Sequence, residues 1–151
     1  LEAPSSVDEI LDFAIGQEEA ATRFYTDLAE QTEQVGMRSL FEDFAAQEMG
    51  HKAKLLAFKE GRIPVPAPKK VMDLKIGDYL LDVKPGPDLD FQGALVVAMK
   101  REKAAFKMYD DFAAMVEDDA LRGTFLALAQ EEAKHKLYLE IQYDEHVLTE
   151  N

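Results

Sequence analysis

The stretch Phe41-Glu-Asp-Phe-Ala-Ala-Gln-Glu-Met-Gly-His51 returns 84 residues later as Phe125-Leu-Ala-Leu-Ala-Gln-Glu-Glu-Ala-Lys-His135, and the pair decides the fold class. In both stretches apolar residues recur at three and four rather than at two, the period of a helix, and a glutamate stands three residues before a histidine on the apolar stripe. The same offset relates Ala14 to Ala98, Glu18 to Glu102, Ala21 to Ala105, Tyr25 to Tyr109, Ala45 to Ala129 and Leu55 to Leu139. No gap is required, so the chain reads as a duplicated helical hairpin.

Outward from these stretches, five of the six prolines (Pro64, Pro66, Pro68, Pro85 and Pro87) lie between Gly61 and Asp90, leaving two proline-free blocks rich in good helix formers. Ser6-Val-Asp-Glu9 reads as a capping box that opens a helix from about Val7 to about Gln31. The polar link Thr32 to Gly36 leads to a second helix from about Met37 to Glu60, stopped by Gly61. A third helix is expected from about Asp90 to Val116, and after the acidic turn Glu117-Asp-Asp119 a fourth from about Ala120 to Val147. Links this short make each pair antiparallel. The sequence therefore predicts an all-α four-helix bundle in one domain over 1–151: a hairpin over about 7–60, a long crossover over about 61–89 and a second hairpin over about 90–147. The patch Val71 to Leu81 predicts a turn or two of helix within the crossover.

A chain of 151 residues buries roughly 70% of the surface its unfolded form exposes, so a core without staples is expected. Seventeen Lys and Arg against thirty Asp and Glu leave a net charge of −13, which disfavours nucleic acid and anionic lipid as partners. The absence of cysteine excludes disulfides, thiolate metal sites and a cysteine nucleophile. The longest apolar run, Ala94 to Met99, is far short of the roughly 20 residues of a membrane helix, and a cytoplasmic location is expected.

The inward stripes place charge in the core. The first helix presents Leu11, Ala14, Glu18, Ala21, Tyr25 and Leu28; the second Met37, Phe41, Phe44, Glu48, His51, Leu55 and Phe58. The third presents Leu95, Ala98, Glu102, Ala105, Tyr109 and Phe112; the fourth Leu121, Phe125, Leu128, Glu132, His135 and Leu139. Four carboxylates and two imidazoles thus converge at mid-height, with no Lys or Arg on any stripe: Arg23, Lys54, Lys100, Arg101 and Lys134 all fall off them. Four buried anions repel one another and each costs several kcal/mol to desolvate, so something must neutralise them, and two divalent cations would cancel four carboxylates. Tyr25 and Tyr109, seven residues beyond Glu18 and Glu102, are either core tyrosines or groups that orient the carboxylates. Glu19, Gln47 and Glu131 adjoin these residues but point about 100° away, onto the helix flanks. His146 reads as a solvated residue, and Phe13, Phe24, Met99 and Met108 as packing. Gly16 and Gly50, inside helices, are accounted for only by close helix approach.

The stretches Ala14-Ile-Gly-Gln-Glu-Glu-Ala-Ala-Thr-Arg-Phe-Tyr25 and Ala98-Met-Lys-Arg-Glu-Lys-Ala-Ala-Phe-Lys-Met-Tyr109, taken with the two already quoted, resemble the rubrerythrin branch of the ferritin-like superfamily. The resemblance implies a ferritin-like bundle in which Glu48 and Glu132 bridge two iron ions, Glu18 and His51 complete one, and Glu102 and His135 complete the other. Manganese or zinc are alternative metals. It further implies a di-iron oxidoreductase of oxidative-stress defence that reduces hydrogen peroxide or dioxygen, and a homo-oligomer, in the simplest case a dimer. Two departures stand out. With no cysteine for a rubredoxin-type iron site, electrons must come from a separate donor. Ala105 stands three residues after Glu102, where the family carries a further glutamate, so the six remaining residues look as much like a ferritin-type ferroxidase centre. Ferrous-iron oxidation and handling, and a non-catalytic metal-binding module, are the alternative functions.

Overall fold

The computed structural model describes residues 7–61 and 90–150, with side chains up to residue 146. Four helices follow in order: α1, Val7–Gln31; α2, Val35–Glu60; α3, Phe91–Met115; and α4, Asp119–Glu150. The expected capping box at Ser6, the crossover over 61–89 and the helical turns between Val71 and Leu81 lie outside the described residues, apart from Glu9 and Gly61 at their edges. No described helix is long and apolar enough to cross a membrane.

The helices start where their caps dictate. Gln34 Oε1 accepts from the Met37 amide at 2.6 Å, which begins α2 two residues earlier than the apolar stripe suggests. Asp90 and Asp118 cap α3 and α4 by accepting from the amides of Gly93 and Leu121. Gly61 ends α2 at φ −73°, outside the left-handed region; a Cβ there would lie 2.0 Å from the Ala57 carbonyl oxygen, so close approach is what calls for glycine. Gly16 and Gly50 have open space where a Cβ would stand, which overturns close helix approach as their reason; nothing in the structure explains them.

Duplication extends to the hairpin turns. Arg38 donates through Nε to the Thr32 carbonyl at 2.9 Å, and Arg122, 84 residues on, donates through Nη2 to the Val116 carbonyl at 2.8 Å. Thr32 and Val116 are themselves related by the same offset and both are buried. Each hairpin is thus tied at its turn by an arginine from the second helix.

Side-chain packing then sets the layout. α1 packs chiefly on α2 and α3 on α4, while α1 meets α3 and α2 meets α4 more loosely, giving a square in the cyclic order α1, α2, α4, α3. One apolar cluster joins Ile10, Leu11 and Ala14 of α1 to Leu55, Phe112, Leu121 and Phe125. The other joins Tyr25 and Leu28 to Phe41, Phe44, Leu95, Ala98 and Leu139 at the opposite end. The start of α1 therefore lies with the end of α3, so these two run antiparallel. Phe24 and Met108 are buried, and Phe13 and Met99 pack against the clusters, as expected. His146 is not simply solvated: it is half-buried and meets the Phe91 ring edge to face at 4.9 Å. Between the two apolar clusters lies a polar layer.

Candidate metal centre

Among the described residues, that layer holds six of the seven buried polar or charged ones, Glu18, Glu48, His51, Glu102, Glu132 and His135, each at most 4% exposed, the seventh being Thr32 at the α1–α2 turn. The seam periodicity puts each at mid-helix, and antiparallel pairing brings the middles together. Their side-chain nitrogen and oxygen atoms fall into two groups that could each hold a metal ion, Glu18, Glu48, His51 and Glu132, and Glu48, Glu102, Glu132 and His135; within each group the atoms lie within 4.8 Å of one another. Glu48 and Glu132 belong to both. His51 Nδ1 lies 3.2 Å from Glu18 Oε2, 3.2 Å from Glu48 Oε1 and 3.0 Å from Glu132 Oε1. His135 Nδ1 lies 3.5 Å from Glu102 Oε1 and 3.7 Å from Glu48 Oε1.

The two tyrosines take the orienting role, and they do so across the bundle. Tyr25 Oη donates to Glu102 Oε1 at 2.5 Å, and Tyr109 Oη donates to Glu18 Oε2. Each thus holds a carboxylate of the opposite hairpin, because antiparallel α1 and α3 carry each tyrosine toward the other helix's glutamate. Burial, reinforced by the neighbouring carboxylates, pushes both hydroxyls well above their ordinary range, so they remain donors. Tyr25→Phe or Tyr109→Phe should each destabilise the metal-free protein by about 1.5–3 kcal/mol, the usual worth of a hydrogen bond to a charged group, read from denaturant unfolding. An unchanged midpoint would show that the tyrosines act only as packing.

Two residues that the sequence places on the flanks belong to the centre. Glu131 Oε2 lies 2.8 Å from His51 Nε2, and Gln47 Oε1 lies 2.8 Å from His135 Nε2. Both bridge α2 and α4, whose facing flanks bring the residue preceding each Glu-x-x-His to the imidazole opposite. A fixed acceptor at Nε2 leaves Nδ1 aimed into the carboxylate layer. Glu19 does stay on the flank, accepting from Lys52 Nζ at 3.1 Å. Arg101, off the seam in sequence, lines the same region, with its guanidinium 4.5 Å from the centroid of the Phe24 ring.

Electrostatics follow from burial and crowding. Burial raises Glu18 to about 7, and the Glu48 charge adds to it. Burial and the charges of Glu102, Glu48 and Glu18 push Glu132 well above the carboxylate range; burial and Glu48 raise Glu102. Glu48 is also pushed up by burial, but its contacts with His51 and Glu132 and the charges of both histidines outweigh this and hold it low. Burial opposes charge on His51, yet Glu18 and Glu48 carry it to about 11. His135 is raised in the same way, by Glu102 and Glu48 against burial. Protons therefore supply the compensating charge when no metal does.

The Rubrerythrin family model matches residues 9–72, a span that takes in Glu18, Glu48 and His51. Over that span the chain is similar to the Rubrerythrin family. A candidate ferritin-like diiron-carboxylate protein of Thermotoga maritima is 20% identical, with a TM-score of 0.75 over 97% of this chain and 99% of that one. A hypothetical protein from Pyrococcus furiosus is 24% identical, with a TM-score of 0.70 over 92% of this chain and 89% of the other. Both share the four-helix-bundle fold with this chain. No curated protein matches it.

The residues fit a pair of metal ions. Glu48 Oε1, Glu102 Oε2, Glu132 Oε1 and His135 Nδ1 are buried and make no hydrogen bond, although buried polar atoms are normally satisfied. All four face the shared layer, and a carboxylate-rich oxygen set with one imidazole nitrogen in each group suits iron, manganese or zinc.

Proposed function

We propose that the protein is a di-iron oxidoreductase in which Glu48 and Glu132 bridge two iron ions, Glu18 and His51 complete one, and Glu102 and His135 complete the other. The reading rests on one observation above all: the two groups overlap in Glu48 and Glu132, so the buried layer offers two adjacent cation positions and not two separate ones. Reducing peroxide to two waters takes two electrons, which a pair of ferrous ions would supply in becoming ferric, and two protons, which would come from solvent. The chain's own part is to hold and screen. Tyr109 and Tyr25 fix the carboxylates of Glu18 and Glu102, Glu131 and Gln47 fix the imidazoles, and the apolar clusters above and below keep bulk water out.

Access favours a small oxidant. A cavity of about 30 Å³ adjoins the layer between α1 and α3, lined by Gln17, Ala21, Arg101 and Ala105 together with the carboxylates. Ala21 and Ala105 are seam residues, and their methyl groups leave the space open; a volume of this order admits one or two water-sized molecules. Electrons for repeated turnover come from an external donor, because these 151 residues carry no cysteine-bound iron relay. A second reading is ferritin-type ferrous oxidation. Ala105 favours it, since no fifth carboxylate borders the cavity at that position.

Anaerobic protein loaded with ferrous iron, mixed separately with hydrogen peroxide and with dioxygen and followed by absorbance and Mössbauer spectroscopy, tests this. Oxidation by peroxide, with turnover sustained by an added reductant, is expected. Rapid reaction with dioxygen and accumulation of ferric iron would put the ferroxidase reading in its place, and inertness to both oxidants would end the oxidoreductase reading.

A further inference from the structure

The two halves of the centre present the same inner residues, a glutamate and a histidine each, with Glu48 and Glu132 in common. Their surroundings differ at two repeat-related pairs. The outer nitrogen of His51 meets the carboxylate of Glu131, whereas that of His135 meets the carboxamide of Gln47, which stands 84 residues earlier in the sequence than Glu131. Next to Glu18 the cavity is lined by neutral Gln17; next to Glu102 the position related by the same offset is Arg101, whose charge interacts with Glu102.

Both differences act in one direction. An imidazole that donates to a carboxylate makes a charge-assisted bond about twice as strong as one to a neutral acceptor, and the opposite nitrogen becomes the better metal ligand. A guanidinium beside Glu102 repels a cation entering that half, and the Glu18 half has no such charge at the related position. Lys54 offsets Glu131 in part, but it is exposed and its field is screened by solvent.

We infer that the centre is electrostatically unequal and that the Glu18–His51 half takes a divalent cation before the Glu102–His135 half. This rests on the six residues being metal ligands. Repulsion between two ions would weaken the second step even in identical halves, so the order has to be read at each histidine. Zinc serves as a diamagnetic probe. Protein labelled with nitrogen-15 at its three histidines is titrated with zinc and followed by NMR, with signals assigned through His146→Gln and His135→Gln.

At one zinc per chain the His51 signals should move to their bound positions, with occupancy at least about tenfold above that at His135, which follows in the second equivalent. The charge-conserving double substitution Gln47→Glu with Glu131→Gln alters only the partly exposed outer acceptors. It should bring the two occupancies close together, and adding Arg101→Gln should place His135 first. Binding at His135 first in the unaltered protein, simultaneous binding at both, or an order unchanged by these substitutions would overturn the inference while leaving the metal centre standing. No zinc uptake at either histidine would overturn both.

Discussion

Two ferrous ions per chain should raise the melting temperature of the metal-free protein by roughly 15–30 °C. At free metal a thousandfold above the dissociation constant, a site stabilises the native state by about 4 kcal/mol, and 1 kcal/mol moves a domain of this size by about 2–4 °C. The large effect has a local cause: four carboxylates at most 3% exposed must otherwise hold protons against their ordinary titration, and three of their oxygens find no hydrogen bond. The substitutions should fall into two classes. Glu48 and Glu132 each belong to both groups, so Glu48→Ala or Glu132→Ala should disturb uptake of both ions and remove most of the thermal shift. His51 belongs to one group, and His51→Ala should weaken mainly one ion. Elemental analysis and calorimetry on the same samples distinguish these patterns. A melting temperature indifferent to iron, manganese and zinc would remove the metal centre. Equal loss from all six single substitutions would remove only the division into bridging and terminal residues.

Much of the architecture could be read in advance because it is written at the scale of the repeat. α1 runs over Val7–Gln31, as the stripe and cap signals predict, and the expected ends of α2 and α3 lie within two residues of those observed. α4 begins one residue earlier than expected and continues to Glu150, beyond Val147, since nothing in that polar tail breaks a helix. The start of α2 was hidden because Gln34, not one of the usual short capping residues, accepts the Met37 amide.

The centre was legible where a residue lies on a seam and illegible where it does not. All six seam Glu and His residues converge, because helical period and antiparallel pairing alone bring them to mid-height. A rotation of about 100° per residue puts Gln47 and Glu131 on the flanks, which is correct for a single helix. In the bundle, the facing flanks of α2 and α4 bring each to the histidine of the other helix. Extending the repeat from the stripes to the residue before each Glu-x-x-His would have paired them. Likewise the tyrosines' partners could not be chosen from spacing, since Glu18 is nearer in sequence to Tyr25 than Glu102 is, and the direction of α3 decides it.

The metal-free protein should lose stability continuously as pH rises from about 5 to 9. Glu18 has an ordinary value of 4.5 and a folded value of about 7, so the folded state binds more protons than the unfolded between them; its stabilising proton is fully present below 4.5 and gone above 7. Glu102 and Glu132, raised by burial and by like charges, act with the same sign. His51 continues the decline at higher pH: raised from 6.5 to about 11, it contributes fully below 6.5 and progressively less above, and His135 follows in direction. Glu48 alone runs the other way, since a lowered carboxylate contributes above its ordinary range and is lost as pH falls, which sets an acid limit to the stable window. Metal should oppose the trend. The imidazoles must shed a proton and the carboxylates must ionise before they can bind, so affinity rises with pH and the gap between loaded and metal-free melting curves should widen. Thermal melts of chelator-treated and iron-loaded protein at pH 5, 7 and 9 read both slopes. Finding the metal-free protein no less stable at pH 7 than at pH 5 would mean that water or internal partners already solvate the carboxylates, and parallel curves would mean that the protons and the metal do not compete for the same atoms.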